Sequence, residues 1–323
     1  MKIFQPVRKL TLFNENQTRI LAQGQEVSPG IKDDEELLND DVVEEQLSRR
    51  QDEVEEWYPT TRQYFQFFNP HPDSNAEDSS PVLPIRTTSF GCGKMGYQIW
   101  TSSIVLSLLL SSPCYRHKIQ SRRVLELGAG CGLPSVVCRD VLGAASVVAT
   151  DFWKDSPLDA TNNEMPNASW GSGGNGVGGP PGERLLVPEF WHGVNLQYNV
   201  QNSQNSETSF YAQRLDWHDP DSVRQMKADL CIGSDLIYYP VDVEPLWNTM
   251  DILLNECGTQ EILLVSPLEP EIRQALPAFR SLLHSKSKQG YRIEMTNLCL
   301  AKDHVHSGKR TFERFLSMSV QKE

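Results

Sequence analysis

The stretch VLELGAGCGLP, residues 124–134, places three glycines, each separated by one residue, directly after a short apolar run. The apolar run predicts a buried β-strand, and LPSVVCRDVLG, residues 133–143, predicts the helix that follows it. A glycine-rich turn between a strand and a helix presents main-chain N–H groups to a ligand, and the missing side chains let that ligand approach the backbone. The stretch therefore predicts a ligand site on an α/β fold.

The spacing of the glycines narrows the class of ligand. A dinucleotide-binding turn has the pattern GxGxxG, and the sequence has Leu133 where the third glycine would stand. It has instead an acid followed by three alternating glycines: Glu126, Gly128, Gly130 and Gly132. Asp151 ends the next apolar run, ASVVATD, where an acid can accept hydrogen bonds from both ribose hydroxyls of a nucleoside. The alternative role for this acid is to cap a helix.

Further strands follow along the chain. Apolar runs alternate with helical patterns after residue 82, which predicts an α/β sheet with parallel strands. Additional strands are predicted at 209–217, 228–235 and 261–267. The segments 291–300 and 311–320 both alternate with period two on either side of a turn-like sequence, so they predict a closing antiparallel hairpin.

Polar and aromatic residues stand at the ends of two of these strands. Because the carboxyl ends of parallel strands meet at one edge of a sheet, we expect these residues to share a crevice. Asp216 could accept a hydrogen bond from an adenine amino group, and Trp217 could cover the base. Asp235 ends a buried strand, where a carboxylate is costly without a cationic partner, and Tyr238 could add a hydroxyl and an aromatic face. Helix capping and core packing are the alternative roles.

Four blocks of sequence, taken in order, resemble the family-16 protein-lysine methyltransferases. The blocks are GYQIW, VLELGAGCGLP, LDW and SDLIYY, and the resemblance spans residues 82 to 320. It implies a Rossmann-like α/β fold with a seven-stranded, mostly parallel sheet and the C-terminal antiparallel hairpin. It also implies S-adenosyl-L-methionine as cofactor, no metal, and a protein substrate such as a translation factor or a chaperone.

The resemblance also assigns roles to individual residues. The predicted cofactor contacts are Trp100, Glu126, Gly128, Gly130, Gly132, Asp151, Asp216, Trp217 and Ser234. A lysine amine has an ordinary pKa of about 10.4 and must lose its proton before it attacks the methyl group. Our hypothesis is that Asp235 orients this amine and that Tyr238 completes its pocket.

Three other functions remain open at this point. The first is methyl transfer to a small amine or to another protein side chain. The second is a non-catalytic interaction module that keeps the fold. The third, an NAD-linked oxidoreductase, is disfavoured by Leu133 and by the lack of an obvious partner for hydride transfer.

Charge divides the chain into two parts. The net charge is −12, and residues 32–56 contain twelve acids against three basic residues. This segment predicts a solvated amphipathic helix or a docking surface for a basic partner. We divide the chain into an acidic N-terminal extension with a linker (1–81) and a methyltransferase domain (82–323). The domain carries a Gly-rich insert at 154–187, for which the composition predicts flexibility.

Composition disfavours several other classes of protein. The seven cysteines form no CxxC pair, which argues against a disulfide framework and a zinc site. The N-terminal sequence lacks the apolar segment of a secretion signal, and the sequence has no apolar run of the ~20 residues that a membrane span needs. A pI of about 5.1 disfavours direct nucleic-acid binding. We therefore expect a cytoplasmic location, with the nucleus as a second compartment, and no membrane partner.

Overall fold

The computed structural model describes residues 4–29, 60–68, 80–88, 96, 98–153, 191–202, 209–268 and 274–323. The predicted acidic helix and all of the predicted Gly-rich insert lie outside the described residues. The strands are β1 (Phe4–Asn14), β2 (Ile20–Pro29), β3 (Thr60–Phe68), β4 (Leu83–Thr88), β5 (Arg123–Leu127), β6 (Ser146–Asp151), β7 (Ser209–Arg214), β8 (Leu230–Ser234), β9 (Glu261–Pro267), β10 (Tyr291–His304) and β11 (Arg310–Lys322). The helices are α1 (Thr101–Ser111), α2 (Pro113–Ile119), α3 (Leu133–Asp140), α4 (Trp191–Gln201), α5 (Pro220–Arg224), α6 (Val243–Asn255) and α7 (Leu276–Lys286), with 3₁₀ turns at Pro240–Asp242 and Ser287–Gln289.

All of these strands belong to one sheet, in the order β4-β3-β2-β1-β10-β11-β9-β8-β5-β6-β7. The five strands from β9 to β7 pair in parallel, and β11 runs antiparallel to both β9 and β10. The predicted α/β fold and closing hairpin are therefore confirmed. The sheet as a whole is mixed, because β1 to β4 pair only antiparallel.

Three of the antiparallel strands come from residues 1–81, where the sequence analysis placed an acidic extension and a linker. Strand β1 pairs with β10 from Arg8 opposite His304 to Asn14 opposite Leu298. The apolar residues of these strands alternate with polar ones and face the core, where Leu10, Leu12, Phe65 and Phe67 are buried. The sequence analysis did not predict these three strands, which are separated in the sequence by the acidic segment.

Helix α1 is enclosed by the sheet. It contacts β8 and β9 of the parallel half and also β1, β2 and β3 of the N-terminal half. In a flat sheet β8 and β3 would be about 30 Å apart, whereas a helix with its side chains is only about 10–12 Å wide. The sheet must therefore curl around the helix, and every residue of α1 after Thr101 is buried.

Two of the serines of α1, Ser107 and Ser111, allow this burial because their hydroxyls are satisfied inside the helix. Ser107 donates to the carbonyl oxygen of Ser103 at 2.7 Å, and Ser111 donates to that of Ser107 at 2.8 Å. Such bonds to the preceding turn remove the need for water or for a polar neighbour. Helix α1 can therefore be buried on all faces, although it is not purely apolar.

The far end of the curled sheet reaches the helices of the parallel half. Strand β4 contacts α3 and α4, which pack beside β5, β6 and β7. The N-terminal strands thus lie close to the turn between β5 and α3. This places them next to the predicted ligand site, although they are at the opposite end of the strand order.

Replacing Gly24 with alanine tests the packing of the N-terminal strands on α1. In a loosely packed strand this change would be neutral or stabilising, because glycine weakens strands. Here an added Cβ would lie 2.8 Å from the main-chain oxygen of Gln66 and 3.2 Å from a methyl carbon of Leu108. We expect Gly24→Ala to lower the free energy of unfolding in urea by about 1–3 kcal/mol. Gln23→Ala, at an exposed neighbouring position, should change it by less than about 0.5 kcal/mol. An unchanged free energy of unfolding in Gly24→Ala would contradict the close packing of β2 on β3 and α1.

Candidate active site

A cavity of about 590 Å³ opens at the carboxyl ends of the parallel strands. Strand β5 has β6 on one side and β8 on the other, so the connections after β5 and after β8 leave the sheet in different directions. A crevice forms where the strand order reverses in this way. The wall comes from the segment before α1, the turn after β5, the end of β6 and the loops after β7 and β8.

The turn after β5 needs its glycines for two different reasons. Gly128, Gly130 and Gly132 all have positive φ angles, of 57°, 57° and 78°. A Cβ on Gly128 would lie 2.4 Å from a methyl carbon of Leu236, and one on Gly132 would lie 2.8 Å from a methyl carbon of Leu196. A Cβ on Gly130 would approach only a main-chain oxygen, at 3.7 Å. Packing therefore requires the two outer glycines, while the middle one leaves the turn open towards the cavity.

Asp151 closes this turn from the neighbouring strand. Its Oδ2 accepts a hydrogen bond from the main-chain N–H of Gly130 at 2.7 Å, and its Oδ1 accepts one from that of Phe152 at 2.7 Å. Each carboxylate oxygen can accept more than one hydrogen bond, and Asp151 lines the cavity. The carboxylate can therefore hold the turn and still accept hydroxyl groups from a ligand.

Glu126 lies behind the turn and does not line the cavity. It is fully buried, and its Oε2 accepts hydrogen bonds from the main-chain N–H and the hydroxyl of Ser135, at 3.0 and 2.5 Å. Its Oε1 has no hydrogen-bond partner among the described residues. Burial raises the pKa of Glu126 to about 8, against the opposing effect of the Ser135 hydrogen bonds. Glu126 thus ties β5 to the first turn of α3 and is largely protonated at neutral pH.

Replacing Glu126 with glutamine should change how stability depends on pH. The unfolded carboxyl ionises near pH 4.5, whereas the folded one stays protonated to about pH 8, so folding becomes less favourable as the pH rises between these values. We expect the stability of Glu126→Gln, relative to wild type, to improve by at least about 1 kcal/mol between pH 5 and pH 9. Urea denaturation across this range measures the difference. Stability curves of Glu126→Gln and wild type that run parallel across this range would contradict the shifted pKa.

The predicted catalytic pair is divided between the wall and the core. Tyr238 lines the cavity, whereas Asp235 is only 2% exposed and does not line it. Asp235 has a φ of 60°, and its main-chain N–H donates to the carbonyl oxygen of Val265 at 2.8 Å. Aspartate tolerates this left-handed conformation better than most residues. Asp235 therefore makes the bend at the end of β8 that carries Tyr238 to the cavity.

The loops after β7 and β8 contribute two residues that the sequence analysis missed. His218 and Asp242 both line the cavity. The main-chain N–H of His218 donates to Oδ1 of Asp216 at 2.9 Å, and Nδ1 of the ring lies 3.3 Å from the same oxygen. Their positions in the sequence could have indicated this role, because His218 directly follows the LDW block and Asp242 lies just after SDLIYY.

The structure brings most of the predicted site residues to one wall. Those that line the cavity are Trp100, Gly128, Gly130, Gly132, Asp151, Asp216, Trp217, Ser234 and Tyr238, and those that do not are Glu126 and Asp235. Three carboxylates, those of Asp151, Asp216 and Asp242, face the cavity, and the described lining contains no lysine or arginine. Such a wall suits a ligand that carries hydroxyl groups and positive charge, and it does not suit a pyrophosphate.

The cysteines of the described residues form no disulfide bonds. The six cysteines there are free, and burial raises the pKa of the Cys131 thiol, in the glycine turn, to about 12. No group of three or more His, Cys, Asp or Glu residues in these ranges is arranged to hold a metal ion. No helix among the described residues is long and apolar enough to cross a membrane.

A family model described as lysine methyltransferase matches residues 79–172 and 192–271, more than half of the chain. The chain belongs to this family. The family predicted from the four sequence blocks is thereby confirmed, and the matched residues include the glycine turn and the loop with Tyr238.

Two relatives of the chain carry the name protein N-terminal and lysine N-methyltransferase EFM7. The one from Cryptococcus neoformans is 29% identical over 185 residues, which cover 57% of this chain and 52% of the relative. The one from Kluyveromyces lactis is 26% identical over 211 residues, which cover 62% and 69%. The chain thus spans about half the length of the first relative.

Among solved structures, magnesium protoporphyrin IX methyltransferase from Synechocystis PCC 6803 with bound SAM aligns with 69% of this chain and 78% of its own, at 16% identity and a TM-score of 0.38.

Proposed function

We propose that the chain is an S-adenosylmethionine-dependent methyltransferase that acts on the side-chain amine of lysine in a protein. The observation that carries this proposal is the glycine turn held by Asp151 in a chain of the lysine methyltransferase family. We assign strands β5 to β11 to the seven-stranded catalytic core and take residues 82–323 as its domain. The cytoplasm, with the nucleus as a second compartment, remains our prediction for its location.

The residues of the cavity wall fit this cofactor. Asp151 is suited to the ribose hydroxyls, while Asp216 and Trp217 are suited to the adenine amino group and ring. When bound, the cofactor supplies a methyl group activated on a sulfonium, and the three carboxylates of the wall favour its positive charge.

The protein's own contribution to the reaction is to position a neutral amine. Aromatic residues of the wall, Trp100 and Tyr238 among them, exclude water, and loss of water lowers the pKa of an amine that enters the cavity. The carboxylate of Asp242 faces the same cavity and can take the amine proton through a water molecule. Tyr238 offers its hydroxyl and ring to the amine, while Asp235 positions Tyr238 through the bend after β8. Asp235 is thus a positioning residue in this proposal.

Calorimetric titration tests the cofactor assignment directly. We expect wild-type protein to bind S-adenosylhomocysteine with micromolar affinity and not to bind NADH. Asp151→Ala should weaken binding at least about tenfold, because it removes hydrogen bonds to both the turn and the ribose. The exposed Asp221 offers a control, since Asp221→Ala should bind like wild type. Failure of the wild-type protein to bind S-adenosylhomocysteine would overturn the proposal.

Conservative variants of the loop after β8 test the catalytic assignment. Tyr238→Phe removes only the wall hydroxyl, and Asp235→Asn removes the charge but keeps a residue that tolerates a positive φ. We expect Tyr238→Phe to lower the rate of radiolabelled methyl transfer about tenfold or more without altering the affinity for S-adenosylhomocysteine. Asp235→Asn keeps the bend, so its rate should stay within about twofold of wild type. The neighbouring Tyr239 is 55% exposed, so Tyr239→Phe provides a matched control. Full activity in Tyr238→Phe, or a tenfold loss in Asp235→Asn, would exclude the assigned roles.

The identity of the methyl acceptor needs a separate experiment. The names of the two relatives include both the N-terminal amine and lysine, so both are candidate acceptors here. The carboxylates of the wall favour a basic protein segment as substrate. Mass spectrometry of proteins methylated in a cell lysate distinguishes lysine from N-terminal products. Transfer to nicotinamide or polyamines, but to no protein, would favour the small-amine alternative.

A further inference from the structure

Two buried asparagines of α4 join the N-terminal part of the sheet to the glycine turn. Asn195 and Asn199 lie one helical turn apart and are 0% and 4% exposed. Both hydrogen bond to Arg86 of β4, which is itself buried. Arg86 donates from Nε to Oδ1 of Asn195 at 3.0 Å, and Nδ2 of Asn195 donates to the main-chain oxygen of Arg86 at 3.2 Å.

Asn199 pairs with the main chain of Arg86 as a neighbouring strand would. Its Oδ1 accepts from the Arg86 N–H at 2.8 Å, and its Nδ2 donates to the Arg86 carbonyl oxygen at 3.0 Å. Strand β4 is the last strand of the sheet in the described order, so these groups face no further strand there. The amide of Asn199 therefore closes part of a sheet edge, which fixes the orientation of the amide.

The same amide also holds the glycine turn. Nδ2 of Asn199 donates a second hydrogen bond, at 2.9 Å, to the carbonyl oxygen of Cys131. Cys131 lies between Gly130 and Gly132, both of which have positive φ angles. Because glycine has no side chain, this main chain can adopt many conformations, and the hydrogen bond helps to hold it in one of them. One side chain thus connects the sheet edge to the middle of the turn.

Helix α4 has anchors that do not depend on its connection to β6. The sequence between Trp153 and Trp191 is long, so this connection cannot set the position of α4 as a short loop would. The guanidinium of Arg62, from β3, donates to the Tyr198 hydroxyl at 2.6 Å. The guanidinium of Arg86 lies over the Tyr198 ring, 3.6 Å from its centroid. Strands β3 and β4 therefore position α4, and α4 positions the turn.

We propose that Asn199 is a positioning residue for cofactor binding, through which the N-terminal strands hold the Cys131 carbonyl and so the glycine turn in its binding conformation. This inference rests on the proposed function, because it concerns the affinity of the same cavity. Asn199 does not line the cavity, so it affects the cofactor indirectly, through its hydrogen bond to the Cys131 carbonyl oxygen. Strand β4 and helix α4 thereby support the binding site from outside its wall.

Two substitutions at Asn199 separate the hydrogen bonds from the fold. Asn199→Asp keeps an acceptor for the Arg86 N–H but sets a carboxylate oxygen against the carbonyl oxygens of Arg86 and Cys131, in place of a donor to both. Asn199→Ala removes the contacts without adding charge. Asn202→Asp is the matched control, because Asn202 directly follows the same helix and is exposed, and its amide donates to the Tyr198 carbonyl oxygen.

Calorimetric titration of the full-length chain with S-adenosylhomocysteine measures the effect. We expect the dissociation constant to rise at least about tenfold for Asn199→Asp and severalfold for Asn199→Ala, with stoichiometry near one. Asn202→Asp should bind within about twofold of wild type. Gly24→Ala controls for lost stability, since a less stable chain that is still almost entirely folded at the titration temperature should keep the wild-type dissociation constant.

The possible outcomes separate this inference from the proposed function. Wild-type affinity in both Asn199 variants would overturn the inference and leave the proposed function intact. A rise in the dissociation constant of Gly24→Ala equal to that of Asn199→Ala would also overturn it, because the effect would then follow stability. Failure of the wild-type protein to bind would overturn the proposed function itself.

Discussion

The enclosure of α1 is the constraint on which the arrangement of the other elements depends. A helix with buried residues on every face needs apolar partners on every face, and the parallel strands β8 and β9 cover only one side of it. Strands β1, β2 and β3 supply the other side, which requires the sheet to curl. Strands β1 to β3, which lie outside the residues that the family model matches, are thus needed to bury a helix within them.

The enclosed helix also fixes one wall of the cavity. Trp100 immediately precedes α1, and its carbonyl oxygen accepts hydrogen bonds from the main-chain N–H and the hydroxyl of Ser103 at 3.0 and 2.7 Å. Trp100 and Ser103 both line the cavity. The burial that curls the sheet therefore also positions one part of the cavity wall.

The sequence predicted the strand ends well because their signals are local. Each of Asp151, Asp216 and Ser234 directly ends or follows an apolar run, and topology alone brings such positions to one edge of a parallel sheet. The orientation of a side chain at that edge is not a local property. Glu126 and Asp235 have patterns as distinct as that of Asp151, but packing directs them away from the cavity. The pairing of Asn199 with Arg86 joins residues far apart in the chain, and no local pattern encodes it.

The connection between β6 and α4 shows why such distant contacts matter in this chain. The free-energy cost of closing a longer connection grows only slowly with its length, so an insertion there need not destabilise the fold. What it removes is the geometric constraint that a short loop places on the next helix. A helix that contacts the glycine turn then needs that constraint from elsewhere, and buried hydrogen bonds to the main chain of β4 provide it. Strand β4, together with Arg62 of β3, thus positions α4 in place of a short connection.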